Sequence, residues 1–408
     1  MAKKYFWIIG GGLMQVPLIE EARKLDLKVI VSDMNNHCAC REQADVFICV
    51  DIFDIESHIK EAKRLTNEGK EIVGVLAAGI DAPETMAAIA ETLKLPSVDR
   101  RIAHLVHNKY LFRKKLRELG YPVPRFVSVG KEDIQNLEKI IDDIGFPLIV
   151  KNTDSSGSRG TKIFREKNIK DMKKMLAVAM RVSKSGRALI EECWEGLEQT
   201  VETIFDVDGN FHRCFITDRI FDRSSGYAME LGLRQPSSLP ESTQEEMYQL
   251  AENIARDLGI KIGAAKFDMI LTDKGPRVIE MTVRLSGGFD CQYLVPAATG
   301  KNVMRAAILT ALNKKFPASL LEDTKHRVGL TGSIWPKPGK ITNISGVDDA
   351  RALSGVEHIF FRYEIGDTIE DYVDCTKRVC FIIVTGKNED DARKTLARAK
   401  KIIKITTK

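Results

Sequence analysis

A mixed α/β and α+β fold is what the periodicity of this chain predicts, with a small parallel sheet near the N-terminus and antiparallel hairpins further on. Strand-like and helical patterns alternate from residue 5 to residue 93. The segment 263–289 reads as two strands around a Gly-Pro turn, and Asp208-Gly209 divides two strand-like runs, 199–207 and 211–218.

The chain has 408 residues, 44% apolar and 29% charged, with a net charge of +5, which is ordinary globular composition spread over several domains. That charge is too small and too dispersed for a nucleic-acid partner but does not repel an anionic small molecule. The 8 cysteines form no CxxC pairs and suit a reducing cytoplasm. The apolar run after Lys3 and Lys4 stops at Gly10-Gly11-Gly12, so it reads as a buried strand rather than a signal peptide, and no stretch is long enough for a membrane span.

Taken in order, strand 5–9, the glycine turn, helix 14–25 and strand 28–32 open a βαβ unit, which strand 46–50, helix 55–65, strand 72–77 and helix 82–93 continue. Gly10, Gly12 and Asp33 approach a dinucleotide fingerprint, but Gln15 stands where its third glycine belongs. A basic helix over 102–119 ends at Gly120 and Pro122; helix 133–144 and strand 148–151 follow. Asp154, Ser155, Ser156, Gly157, Ser158 and Gly160 then form a small-residue loop whose amides suit phosphate oxygens, although it is no Walker loop because Lys151 precedes the glycines. Strand 187–192 runs into Cys193, Trp194 and Glu198 and can cross between domains. A helix over 243–258 leads to the 263–289 hairpin.

In that hairpin Lys266, Asp268 and Ile270 share one face with Glu280, Thr282 and Arg284, while Phe267, Met269, Ile279, Met281 and Val283 seek the core. A loop symmetric about Lys274 sets Asp268 opposite Glu280. Two facing carboxylates repel unless a cation such as Mg²⁺ lies between them.

The ordered set Lys109, Lys151, the 154–160 loop, Glu191-Glu192-Cys193, Glu198, Asp268, Glu280 and Arg284 resembles the ATP-grasp superfamily, in the branch of carbamoyl-phosphate synthetase, biotin carboxylase and L-amino-acid ligases. The resemblance implies an ATP-grasp fold: a Rossmann-like domain (1–107), an ATP-grasp domain (108–326) with a lid at about 120–192, and a small C-terminal domain (327–408). It implies ATP with Mg²⁺ or Mn²⁺ as cofactors, small carboxylate and amine substrates joined through an acyl phosphate, and a cytoplasmic enzyme for which a homodimer is compatible. Lys109 and Lys151 would contact phosphates, and Ser155, Ser156, Gly157 and Gly160 would close over them. Glu191, Glu192, Cys193 and Glu198 would hold adenosine; Asp268, Glu280 and Thr282 would ligate metal. Arg284, with the two lysines, would serve catalysis, and Gly11, Gly12, Gln15, Ser286, Gly287 and Gly288 would face substrate. Thr282 departs from the family's E-x-N-x-R pattern, implying a second cation that is more water-coordinated or partly occupied. The rivals are bicarbonate activation within the same fold, an NAD(P) oxidoreductase on the Gly10 turn, and a nucleotide-binding module without turnover.

Overall fold

The computed structural model describes residues 3–155 and 157–408. Strands Val46–Ile48, Lys28–Ser32, Lys4–Ile9 and Glu71–Ala77 lie in that order, all parallel. Phe6, Trp7, Ile8 and Ile9 are fully buried in succession, as a strand covered on both faces requires. The first helix is shorter than its apolar pattern, Val16–Arg23, with Pro17 in its opening turn, so residue 14 stays in the loop.

The helix expected over 102–119 is two helices, Arg100–His107 and Lys109–Glu118. Asn108 interrupts it: its backbone is extended and its Oδ1 accepts the Leu111 N–H at 3.1 Å, capping the second helix. The Lys109 N–H is thereby free to donate to Thr153 O at 2.7 Å, which fastens this helix to the phosphate-loop segment. The helix expected from 133 begins as a 3₁₀ turn, Lys131–Asn136, and becomes α-helical at Leu137–Ile144.

A four-stranded antiparallel sheet follows, ordered Phe126–Val129, Ala188–Glu192, Leu148–Asn152, Lys162–Phe164, with helix Ile169–Val182 contributing Met172, Leu176 and Ala179 to its core. The largest sheet has eight strands and begins with Gly275–Thr282, Gly263–Thr272, Leu197–Phe205, Phe211–Asp222 and Met229–Gln235. Three C-terminal strands, Val328–Gly332, Cys380–Gly386 and Val356–Phe361, continue it, so the tail extends the central sheet.

Two details of the central hairpin correct its sequence reading. Thr272 pairs with Gly275, so Asp273-Lys274 makes the turn, and Pro276 sits on the edge strand, where its missing N–H costs nothing. Asp268 does face Glu280, but Met269 then pairs with Val278. Ile279 is the extra residue of this bulge, so Val278 takes the core position, 3% exposed, while Ile279 turns toward the cleft.

Candidate active site

The central sheet, the lid sheet and the N-terminal unit enclose a cleft of about 1530 Å³ including its open mouth. Beside it lies a smaller pocket of about 490 Å³ lined by Pro124, Ile149, Ile163, Trp194, Ile270 and Ile279. Its apolar walls suit a planar base. At its inner side Lys151 Nζ donates to Glu191 Oε1, and Arg113 Nε lies 3.2 Å from Glu191 Oε2. All three side chains are nearly inaccessible. Burial alone would raise the Glu191 carboxyl, but Arg113 and Lys151 outweigh it and hold the group below the ordinary range. The sequence pattern did not single out Arg113. Its signal is a cation on the same helical stripe as Lys109, Phe112 and Leu116, all of them buried.

Glu192 and Cys193 both line this pocket, with part of their polar groups already engaged. The Cys193 N–H donates to Pro147 O at 2.9 Å, so this amide cannot read a base edge without breaking a strand contact. Glu192 points to the surface toward Arg125, 3.5 Å away, because alternate strand residues face opposite sides. Glu198 lines both the pocket and the cleft, where it is paired with Arg223 and lies 3.6 Å from Arg219.

Toward the phosphates, Lys109 Nζ donates to Ser155 O at 2.6 Å and is 3.9 Å from the Glu280 carboxylate. The loop is anchored at its start, where Asp154 accepts the N–H groups of Lys184 and Ser185 at 2.8 and 3.1 Å. Its far side meets the C-terminal unit: the Cys375 N–H donates to Gly157 O at 3.3 Å. Gly157 has φ +70°, and a Cβ there would come within 2.9 Å of Thr376 Cγ2, so glycine is needed for both conformation and approach. Gly160 packs so that a Cβ would lie 3.0 Å from Ala179 Cα. Ser156 lies outside the described residues.

Asp268 and Glu280 stand across from each other on the hairpin. Lys266 Nζ is 2.6 Å and Arg219 Nη1 3.0 Å from the Asp268 carboxylate, and Thr200 donates its hydroxyl at 3.2 Å. Burial would raise Asp268, but Arg219 and Lys266 bring it down to about 2. Two residues past Glu280, the Thr282 hydroxyl is buried without a partner. The two carboxylates line the cleft and offer oxygen donors that fit a hard divalent cation, whereas the Thr282 hydroxyl lies farther along the same strand face, buried and not among the cleft-lining residues. Among the described residues no cluster of three or more His, Cys, Asp or Glu side chains could hold a metal alone. The set therefore fits a cation shared with nucleotide phosphates, as Mg²⁺ commonly is.

Arg284 Nη2 lies 3.8 Å from Asp81 of the N-terminal unit, and Arg284 Nη1 donates to Leu285 O at 3.0 Å. Beyond it, the Ser286 N–H donates to Glu202 at 2.8 Å. Burial pushes the Glu202 carboxyl up to about 7. Gly287 comes against Gly79, where a Cβ would be 3.1 Å from Gly79 Cα. Ser286, Gly287 and Gly288 all line the cleft.

The N-terminal glycine turn sits beside the cleft, since Met14, just past it, and Gly79, packed on Met14, line the cleft. Gly11 N–H donates to Asp33 at 2.8 Å, Gly12 N–H to Gln15 Oε1 at 2.9 Å, and Gln15 Nε2 to Ala78 O. With these groups already bonded internally, Gly11, Gly12 and Gln15 are not among the cleft-lining residues. Met14, Gly79 and Asp81 take that place. Asp33 likewise braces the turn. Arg219 on strand Phe211–Asp222, Glu230 on strand Met229–Gln235, and Arg362 and Arg378 of the tail also line the cleft and were not anticipated, because none of them falls in a motif.

Residues 108–319 match the family of the ATP-binding domain of the carbamoyl-phosphate synthase L chain, and residues 334–408 match L-amino acid ligase C-terminal domain 2. The chain belongs to this ATP-grasp family of ligases. It is an ATP-dependent enzyme of the class that joins carboxylates to amines. An uncharacterised protein of Sinorhizobium fredii is 24% identical over 356 residues, 86% of this chain and 71% of that protein. A formate-dependent phosphoribosylglycinamide formyltransferase of Prochlorococcus marinus is 24% identical over 290 residues, 68% of each chain. The crystal structure of an L-amino acid ligase from Bacillus licheniformis covers 100% of both chains with a TM-score of 0.82 at 21% identity, a likeness of fold. No helix among the described residues is long and apolar enough to cross a membrane.

Proposed function

We propose that this ligase phosphorylates the carboxylate of a small organic acid, with an amino acid as the leading class, and that an amine then displaces the phosphate to give an amide, ADP and phosphate. The observation that supports it most is the Asp268 and Glu280 pair, facing each other beside the unpartnered Thr282 hydroxyl. The match of the C-terminal 334–408 segment to an L-amino acid ligase domain favours an amino acid over bicarbonate.

Asp268 and Glu280 would hold Mg²⁺ or Mn²⁺, which when bound neutralises charge on the transferring phosphoryl group. Lys151, which lines both the base pocket and the cleft, would contact the α-phosphate while keeping its pairing with Glu191, and Lys109 would contact oxygens nearer Glu280. Glu198 would accept the ribose hydroxyls, which requires it to give up part of its pairing with Arg223. Arg284 would hold the reacting carboxylate with a forked pair of N–H groups. Closure of the 154–160 loop against Cys375 and Thr376 excludes water, which would otherwise hydrolyse the acyl phosphate.

The test is ADP release across single amino acids, pairs of amino acids and bicarbonate. Release that needs two amino acids and yields a dipeptide supports the reading; release driven by bicarbonate alone replaces it with carboxylation.

A further inference from the structure

The acidic side chains that line the cleft are each held by a cation, with one exception. Asp81 has Arg284 at 3.8 Å, Glu198 has Arg219 at 3.6 Å, Glu230 has Arg219 at 2.8 Å, Asp268 has Lys266 at 2.6 Å and Glu280 has Lys109 at 3.9 Å. Asp290 lines the same cleft and is 1% exposed, yet among the described residues no Lys, Arg or His lies within ion-pair distance of it. A buried carboxyl without a cation is costly, and such groups gather where a reaction uses them.

Its position fits such a use. Past Arg284 the chain runs through the cleft-lining Ser286, Gly287 and Gly288, and the Asp290 N–H donates to Gly287 O at 3.3 Å. Asp290 Oδ1 lies 3.1 Å from Thr217 Oγ1, which is also 2.9 Å from Gln235 Oε1. The Thr217 hydroxyl therefore serves both protonation states: it donates to an Asp290 carboxylate, or it donates to Gln235 and accepts from an Asp290 carboxyl. Thr217, Thr200, Asp268 and Glu280 form one row across paired strands. Thr217 is two strand spacings, about 10 Å, from Asp268 along that row, which puts Asp290 at the opposite end from the Asp268 and Glu280 pair. The cleft floor at Thr200 lies between them.

Burial holds the Asp290 carboxyl well above the ordinary range; the Thr217 hydroxyl and Lys266 act against it, while Glu202 and Glu230 raise it further. Cys291, the next residue, is kept a neutral thiol by burial. An ammonium group entering beside Asp290 supplies the missing positive charge and so favours the carboxylate. A carboxylate in these surroundings is also a stronger base than one in water, which suits it to take a proton from that ammonium.

We propose that Asp290 is the catalytic base of amide formation, taking a proton from the ammonium group of the incoming amine substrate before attack. The Asp290 carboxylate becomes a carboxyl as the ammonium becomes an amine. The nitrogen lone pair then forms the C–N bond to the acyl carbon, the C–O bond to phosphate breaks with its electron pair, and the nitrogen's next proton leaves with the phosphate. This rests on the ligase reading above and deepens it by naming the group that activates the amine.

The test compares wild-type enzyme and Asp290→Asn, with MgATP and the pair of amino acids that best drives ADP release, and with hydroxylamine replacing the amino acid that serves as amine. Hydroxylamine is already uncharged at neutral pH and needs no base, so it traps the acyl phosphate as a hydroxamate. Asp290→Asn should lower kcat for the dipeptide by ~10²–10⁴ while hydroxamate formation stays within about threefold of wild type. The dipeptide deficit should narrow as pH approaches the amine's own pKa, where free amine no longer needs a base. In the wild-type enzyme alone, dipeptide formation should level off below that pKa. Equal loss of dipeptide and hydroxamate, a rise confined to KM for the amine at unchanged kcat, or a wild-type rate that climbs in proportion to free amine up to the amine's pKa would each overturn the proposal. Wild-type enzyme that forms neither dipeptide nor hydroxamate would overturn the ligase reading with it, whereas hydroxamate formed by wild type alongside any of the other failures would remove Asp290 alone.

Discussion

The two halves of the nucleotide site solve opposite charge problems. Around the base pocket, Glu191 is met by Lys151 and Arg113, so one carboxylate holds two cations in a closed and nearly inaccessible group. Along the hairpin, Asp268 is held by Lys266 and Arg219, while Glu280 has Lys109 at 3.9 Å and Thr282 has no partner. The first arrangement is complete before any ligand arrives. The second is incomplete in a way that a cation with phosphate oxygens completes. A binding surface gains when its groups are already fixed in place, whereas groups that meet moving charge must strengthen their contacts during the reaction.

The sharpest way to break this comparison is Glu280→Gln. Loss of a proposed metal ligand should lower turnover by ~10²–10⁴, about 3–5 kcal/mol of transition-state stabilisation, with a much smaller change in nucleotide affinity. Parallel measurement of ADP release and nucleotide binding checks it. Near-normal turnover would reduce the dyad to a charged hairpin.

Arg113→Met probes the closed half. It leaves Glu191 with Lys151 alone in a buried setting, so denaturant unfolding should show a loss of about 3 kcal/mol, the scale for breaking a buried charge group. Its kcat, for enzyme that remains folded and saturated, should change less than that of Glu280→Gln.

A comparable effect is expected from pH at Glu202. Its carboxyl is raised from 4.5 to about 7 by burial, so the folded chain holds this proton more tightly than the unfolded chain. The associated stability is present below about 4.5 and is lost as pH rises to about 7, an amount of about 3 kcal/mol. Glu202→Gln should flatten the stability profile across that window, read as melting temperature against pH. An unchanged slope would show that Glu202 does not titrate there.

The smallest effect belongs to Thr282→Asn. An amide oxygen in place of the unpartnered hydroxyl should leave ADP release within about threefold of wild type or raise it, because it supplies a longer neutral oxygen ligand on the same face. A loss as large as that of Glu280→Gln would mean that the hydroxyl itself is required.

How much of the site was legible depended on whether a residue's role follows from local period. Asp268 opposite Glu280 was expected from strand alternation and a turn centred on Lys274; the turn is Asp273-Lys274 instead, and the bulge at Ile279 restores the pairing. Arg113 and Arg219 were invisible because each is defined by an acid 78 and 49 positions away, Glu191 and Asp268. At the glycine turn the same limit applies: Asp33 and Ala78, brought in by neighbouring parallel strands, take the Gly11 N–H and the Gln15 amide N–H, and Gln15 Oε1 takes the Gly12 N–H.

By itself, the sequence determined the parallel N-terminal sheet, the existence of the hairpin and the order of lysines, small-residue loop and acids, because those rest on periodicity and turn chemistry that act over a few residues. Only the tertiary structure decided the break at Asn108 that gives the Lys109 amide to Thr153, the bulge that turns Ile279 into the cleft, and the arrival of Arg362 and Arg378 from the tail. Each of these depends on which distant backbone or charge lies opposite. That is set when the sheets pack, and no local pattern encodes it.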